Sequence, residues 1–397
     1  MSRSLNLHFH ATPMLALLAA QFLSALADNA LLVAAVAAMK LSGATDRISW
    51  VQIGFILPYI LLAPYVGRVA DALPKGRVLM IGNSIKLVGT LLMVTGVDPI
   101  GSYLIVGVGA TLYSPAKYGI LSQMFHPERL VRANALLESS TIAAILLGVV
   151  AGGWLSDWSV TKAMQIIAGL YLFAALVNLL IPRLPPQALH PALQPLAALK
   201  VFAHAVGTLL RDPAARVSLI GTSLFWGCGA ALRLMLFVWV PQALHITNNR
   251  TPADMMGILS LGIVLGAALA WFLVSLTRIH RAFLGGMLIG PAIIMLDFQH
   301  HLLPADICLW LMGMAGGLFI VPLNALLQTR GQDSIGVGQV LSVQNFLENI
   351  SMLLMVGAYG LSSHLAIDHV VLAFGVLMLV GMSILARQMQ HLRPVKK

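Results

Sequence analysis

Apolar residues in this chain gather into runs long enough to cross a bilayer, and that one feature excludes most folds. The runs at 14–39, 101–124, 259–276 and 370–386 all reach the length of a spanning helix, which needs roughly 17–25 residues. Charged residues make up only 10% of the 397 positions. Soluble domains carry about 25%, so this chain has too few charges to clothe a water-facing surface. The first run follows Arg3, His8 and His10 and could pass for an export signal. It is longer than the apolar core of such a signal and contains Asp28 and Asn29, so a retained first helix is expected. The two cysteines, Cys228 and Cys308, fall inside apolar runs with no metal-type spacing. No disulfide framework, zinc site or cofactor is expected from them.

Turn residues and charges divide the chain into twelve spans, at 14–39, 50–68, 77–96, 101–124, 133–155, 162–181, 217–243, 254–276, 279–298, 303–327, 339–361 and 366–387. The expected fold is an all-α polytopic membrane protein. The net charge of +10 invites a nucleic-acid partner, but topology explains it without one. With both termini cytoplasmic, the cytoplasmic tails and loops hold 17 of the 24 Lys and Arg residues, and the external loops hold only Lys40, Arg47, Lys162 and Arg250. Positive loops stay on the cytoplasmic side, which fixes the expected orientation and leaves Lys86, Lys117 and Arg233 inside spans.

The longest interruption, 183–216, follows Pro182 and carries Pro185, Pro186, Pro191, Pro195 and Pro213. It predicts an N-terminal six-helix bundle at 1–182, a cytoplasmic linker at 183–216 and a C-terminal six-helix bundle at 217–397. The halves echo each other weakly. Asn134-Ala-Leu-Leu-Glu138-Ser139 in the fifth span superposes on Gln344-Asn-Phe-Leu-Glu348-Asn349 in the eleventh, at an offset of 210 residues. Two six-helix halves related by an axis along the membrane normal define the major facilitator fold.

The loop Gly67-Arg-Val-Ala-Asp71-Ala-Leu-Pro-Lys75-Gly76-Arg77 resembles the cytoplasmic signature of that superfamily. Gly67 permits close helix approach, and Asp71 can cap a helix or pair with Arg77. The three are expected to form a conformational latch, although Pro74 and a displaced second glycine depart from the signature. An ordinary positive loop is the alternative reading.

An ionisable group in lipid costs about 2.5–3.5 kcal/mol on insertion scales, so it should face a cavity or a partner. Asp28 lies in the first span with Gln21 and Ser24 on its face, Lys117 in the fourth one turn after Tyr113, Glu138 in the fifth, Arg233 in the seventh and Glu348 in the eleventh. An ion-pair network of Asp28 with Arg233 and Lys117 with Glu138 would hold the bundle together. A binding role would use the same residues. Lys86 is expected to snorkel toward the cytoplasmic surface. Cations and anions across one cavity suit a zwitterion better than a sugar. Arg233 can take a phosphate in bidentate fashion with Lys117 as a point charge, while Asp28 and Glu138 hold an ammonium.

The strings Ala-Asp28-Asn29-Ala-Leu-Leu, Tyr113-Ser-Pro-Ala-Lys117-Tyr-Gly-Ile-Leu, Ala-Asn134-Ala-Leu-Leu-Glu138-Ser-Ser-Thr-Ile-Ala-Ala-Ile-Leu-Leu-Gly, Gly221-Thr-Ser-Leu-Phe-Trp-Gly and Val321-Pro-Leu-Asn-Ala-Leu-Leu-Gln resemble the bacterial lysophospholipid transporter family over nearly the whole chain. The resemblance implies inward movement of lysophosphatidylethanolamine and related lipids, by alternating access, for reacylation by a cytoplasmic acyltransferase–acyl carrier protein synthetase. Asp28, Asn29, Tyr113, Lys117, Glu138, Arg233, Gln344 and Glu348 are the expected substrate-binding residues. A one-tailed lipid also needs an apolar wall, and glycine stretches such as Gly107-Val-Gly109 and Gly313-Met-Ala-Gly316-Gly317 let helices pack closely. Two other readings compete. An acyltransferase-like His301 to Asp306 spacing lies in a short loop without a soluble domain, so an enzyme is not expected. A proton-coupled exporter or metabolite carrier of the same fold would use Asp28 or Glu138 as its proton site.

Overall fold

A computed structural model of the chain describes residues 11–124, 127–182, 184–185, 195–274, 276–332 and 337–390. The elements in order are α1 (Ala11–Leu41), α2 (Ile48–Leu61), α3 (Ala63–Ala72), α4 (Lys75–Val94), α5 (Pro99–Met124), α6 (Pro127–Trp158), α7 (Val160–Val177), α8 (Pro195–Arg211), α9 (Pro213–Ala243), α10 (Arg250–Leu273), α11 (Ala282–Asp297), α12 (Leu302–Gln332), α13 (Val337–Leu361) and α14 (Ile367–Gln390). Ten helical stretches are long and apolar enough to span a membrane by themselves. The pair α2–α3 and the long α6 supply the other two crossings, giving twelve spans in two six-helix bundles. The second crossing breaks at Leu62 because Pro64 has no N–H to donate to the preceding turn, while Leu62 N–H still bonds Pro58 O at 2.9 Å. An even number of crossings puts the start of α1 and the end of α14 on one face, the terminal face, with the far face opposite.

In the first bundle α1 packs on α6 and α7, and α4 packs on α5 and α7; in the second α9 packs on α12, α13 and α14, and α10 on α12. Glycines set how closely some of these pairs approach. A Cβ at Gly109 would stand 2.5 Å from Gly82 O, and one at Gly266 would collide with the Met314 backbone. Helix packing is therefore the role of the Gly107–Gly109 and Gly313–Gly317 stretches, since small residues are what let spanning helices touch. The bundles meet along α6 against α10 and α2 against α13.

The proline-rich interruption is not featureless. It contains α8, an amphipathic helix whose Ala198, Ala205 and Leu209 are buried while Leu196, Leu199 and Val201 are exposed. Asp212 then caps α9, its carboxylate accepting the Ala215 N–H at 2.8 Å, with Pro213 at the first helical position where its missing N–H is harmless. The prolines concealed this helix because they begin helices here rather than break them.

On the far face the two bundles are sealed together. The Asp157 carboxylate at the end of α6 accepts N–H bonds from Asn249 at 2.7 Å and Arg250 at 2.9 Å, where α10 begins. The Arg250 guanidinium lies 3.7 Å over the Trp154 ring, and Trp154 Nε1–H donates to Asp254 at 3.2 Å. Lys40 Nζ reaches Asn249 Oδ1 at 3.3 Å. On the other seam Gly360 of α13 packs on Ser49 of α2, a contact any side chain at 360 would break.

Candidate substrate cavity

A cavity of about 210 Å³ opens between the bundles, lined from α1, α2, α4, α5 and α6 on one side and by Arg233 of α9 on the other. Its polar floor is built on Asp28. Helical spacing puts Gln21, Ser24 and Asp28 on one stripe of α1, and α4 presents Asn83 and Lys86 to that stripe. Lys86 Nζ lies 2.7 Å from Asp28 Oδ2 and donates to Ser24 Oγ at 2.9 Å, and the Ser24 hydroxyl donates to Asn83 Oδ1 at 2.7 Å. Tyr171 of α7 donates its hydroxyl to Asp28 Oδ1 at 2.7 Å, and the Tyr103 hydroxyl reaches the Asp28 backbone carbonyl at 3.3 Å. The Lys86 ammonium also lies over two rings, 4.9 Å from the centroid of Tyr113 and 5.7 Å from that of Tyr171.

Two expectations are corrected here. Lys86 does not snorkel: its side chain is 2% exposed and is held by a carboxylate on the neighbouring helix. Asp28 therefore pairs with Lys86 and not with Arg233. Height in the membrane alone points Lys86 toward the surface, whereas the rotation of α4 turns it toward α1. Arg233 lines the cavity from the opposite bundle and has no ion-pair partner among the described residues.

Asp28, Asn29, Tyr113, Lys117 and Arg233 all line this one cavity. Asn29 turns its amide back to Ala25 O at 2.8 Å on its own helix, and Lys117 is buried with partners of its own. Gln344 and Glu348 do not line it. They form a separate buried cluster on α13, where Gln344 Nε2 donates to Glu348 Oε1 and to Asn324 Oδ1, both at 2.8 Å. Glu138 lies on α6 outside the described side chains, as do Gly67 and Asp71 on α3. Arg77 of the expected latch is exposed, and among the described side chains of that loop the buried cation is Lys75.

Sequence reasoning missed Lys86, Tyr59, Tyr103 and Tyr171. Tyrosine was the available signal. The chain has seven, and Tyr59, Tyr103, Tyr113 and Tyr171 all converge on the Asp28 floor.

Beside the polar cavity lies a second one of about 80 Å³, with a mostly apolar lining that includes Val149, Phe225, Leu232, Met256, Ile263 and Met312. The two share Ile145 and Arg233. A guanidinium thus stands at the border between a charged compartment and an oily one.

Comparison with known proteins places the fold in a family. A family model described as Major Facilitator Superfamily matches residues 17–356, and the chain belongs to that superfamily. Its fold resembles a bacterial homologue of the human lysosomal transporter Spinster (TM-score 0.72, 14% identity, 95% of this chain and 97% of that one). The nucleoside transporter NupG is as similar (TM-score 0.72, 15% identity, 96% and 99%). Within the superfamily, it is 48% identical over 355 residues, 88% of each chain, to the lysophospholipid transporter LplT of Serratia proteamaculans (strain 568). It is 46% identical over 377 residues, 94% of each chain, to the LplT of Escherichia coli O7:K1 (strain IAI39 / ExPEC). The chain belongs to the family of these transporters.

Proposed function

We propose that this chain is a lysophospholipid transporter that moves lysophosphatidylethanolamine and related one-tailed phospholipids from the outer to the inner leaflet of a bacterial inner membrane. One observation carries the reading: a cavity with paired opposite charges adjoins an apolar cavity through Arg233. A zwitterionic head and a single acyl chain need those two compartments side by side. Lys117 and Arg233 would receive the phosphate, and the Asp28 floor the ammonium. The names of the relatives support the same substrate class.

In this reading the terminal face is cytoplasmic, the bundles correspond to 1–182 and 217–397 with a linker at 183–216, and the chain works by alternating access rather than by catalysis. A cytoplasmic acyltransferase–acyl carrier protein synthetase would restore the missing acyl chain and keep the path downhill. Gly67, Asp71 and Arg77 remain the proposed latch on that side. The test is uptake of labelled lysophosphatidylethanolamine by cells lacking their own carrier, with and without this chain. Absence of any gain with the chain inserted in the membrane refutes the function.

A second reading has one observation in its favour. Glu348 is buried against the neutral groups Gln344 and Thr222, with no cation beside it among the described residues. A carboxyl so placed is a proton site for a coupled carrier, and uptake after collapse of the proton gradient separates the two readings.

A further inference from the structure

The setting of Lys86 is richer than an internal strut requires. Its ammonium has a carboxylate oxygen at 2.7 Å, a hydroxyl at 2.9 Å and the faces of Tyr113 and Tyr171 above it. Together these form a complete recognition site for a primary ammonium on a methylene chain: one anion, one neutral acceptor and two π faces. The group filling it is R–CH2–NH3+, the same group that ends an ethanolamine headgroup. We infer that Lys86 is an internal competitor for the headgroup ammonium, occupying its site in the empty carrier and thereby setting headgroup selectivity. The inference rests on the lysophospholipid reading above.

The exchange balances in charge. An ethanolamine headgroup brings an ammonium and a phosphate together. When its ammonium takes Asp28, the displaced Lys86 takes the phosphate, and no buried charge is left alone. Burying an unpaired charge is what makes most rearrangements in a protein interior prohibitive, and this swap avoids it. The geometry allows it as well. The Asp28 side chain is 21% exposed and lines the cavity, so a ligand can reach it, while Lys86 hangs on a flexible four-carbon stem. A glycerol headgroup carries no cation and cannot displace Lys86. It leaves the pair intact and must rely on Lys117 and Arg233. A fully N-methylated headgroup has a cation without an N–H, so it cannot replace the bonds to Asp28 Oδ2 and Ser24 Oγ.

The experiment measures equilibrium binding of labelled lysophosphatidylethanolamine and lysophosphatidylglycerol to the full chain in lipid nanodiscs, for the wild type, Lys86→Met and Lys86→Arg. Lys86→Met leaves Asp28 with the Tyr171 hydroxyl but no cation, so an ammonium is favoured and a lone anion repelled. The ethanolamine-to-glycerol affinity ratio should rise about tenfold or more. Lys86→Arg should lower the ratio, because a guanidinium grips a carboxylate at two points. A strut or a plain phosphate ligand predicts equal losses on both lipids, and an unchanged ratio in either folded variant overturns the inference. Should Lys86→Met fail to fold, Lys86→Arg and the wild type decide, the wild type being expected to bind the primary-amine head more tightly than its N-methylated analogue. Equal affinities there also overturn it. A wild type that binds neither lysophospholipid overturns the transport reading itself, a different result from binding with an unchanged ratio.

Discussion

Opening of the far face should depend on Asp157 more than on any other single side chain. Its carboxylate is the only charged group that joins the bundles through two main-chain N–H bonds, at 2.7 and 2.9 Å, among the described residues. It acts as a helix cap supplied from the opposite bundle, and losing a cap costs about 0.5–2 kcal/mol. Because the groups are solvent-exposed, a value near 1 kcal/mol is appropriate, roughly a fivefold shift in the closed-to-open ratio. Trp154→Ala removes the stacked Arg250 and the Asp254 bond. An exposed cation–π contact is worth about 0.5–1 kcal/mol, so the double variant should reach about 2 kcal/mol, near thirtyfold. The assay replaces Ser114, which lines the cavity, with cysteine in a background lacking Cys228 and Cys308. The rate of labelling by an impermeant thiol reagent added from the far side is then followed. Asp157→Ala should speed labelling about fivefold, whereas Arg47→Ala, an exposed position on the same face, should not change it. If labelling stays at the wild-type rate in both the single and the double variant, the far-face contacts do not hold the carrier closed and the argument fails.

The other outcomes concern the cavity. Arg233→Ala should insert normally yet lose most lysophospholipid uptake, with Arg233→Lys recovering only part, since lysine lacks the two-point fork; full uptake by well-expressed Arg233→Ala protein would refute its role. Asp28→Asn should impair ethanolamine lipids more than glycerol-headed ones, and equal loss on both would assign Asp28 to holding the bundle. Uptake should persist in cells whose proton and sodium gradients are collapsed by ionophores, because the proposed acylation of the imported lipid would itself keep the path downhill; abolished uptake with the acylation step intact would promote Glu348 or Asp28 to a coupling site.

The twelve crossings were legible because hydropathy along one chain is a local property, and bilayer thickness converts it directly into helices. The position of the cavity was legible in part for a similar reason: charges in lipid are rare enough that Asp28, Lys117 and Arg233 stood out. Their pairing was not. Which cation meets Asp28 depends on the rotation of α4 about its own axis, and the apolar stripes of α1 and α4 are too weakly polarised to reveal it. Lys86 therefore read as a surface-seeking residue although Asn83 and Lys86 together face Ser24 and Asp28. Gln344 and Glu348 lie elsewhere. Their repeat with Asn134 and Glu138 is weak in sequence, and Gln344 donates its amide to Asn324 and Glu348 in a buried cluster outside that cavity. Helix α8 is hidden in the sequence because prolines within a helix break it, whereas Pro195 and Pro213 stand at helix starts, where they do not.

Every described charge on the cavity floor belongs to the first bundle, while Arg233 alone stands across from it on the second. That asymmetry bears on how substrate could drive the carrier through its cycle. A ligand shifts a conformational equilibrium only by its difference in affinity between the two states. A cation bound at Asp28 touches a single rigid bundle and so distinguishes little between them. An anion held between Lys117 and Arg233 spans the gap, and its binding energy changes as the bundles move apart or together. The ammonium end can then select which lipid enters, while the phosphate end supplies the coupling that moves it. Arg233 lines the apolar cavity as well as the polar one, so an acyl chain lying there would keep the phosphate beside the guanidinium. In the proposed reading a one-tailed lipid would engage both bundles with one headgroup and one chain, whereas a free headgroup would hold only the polar half.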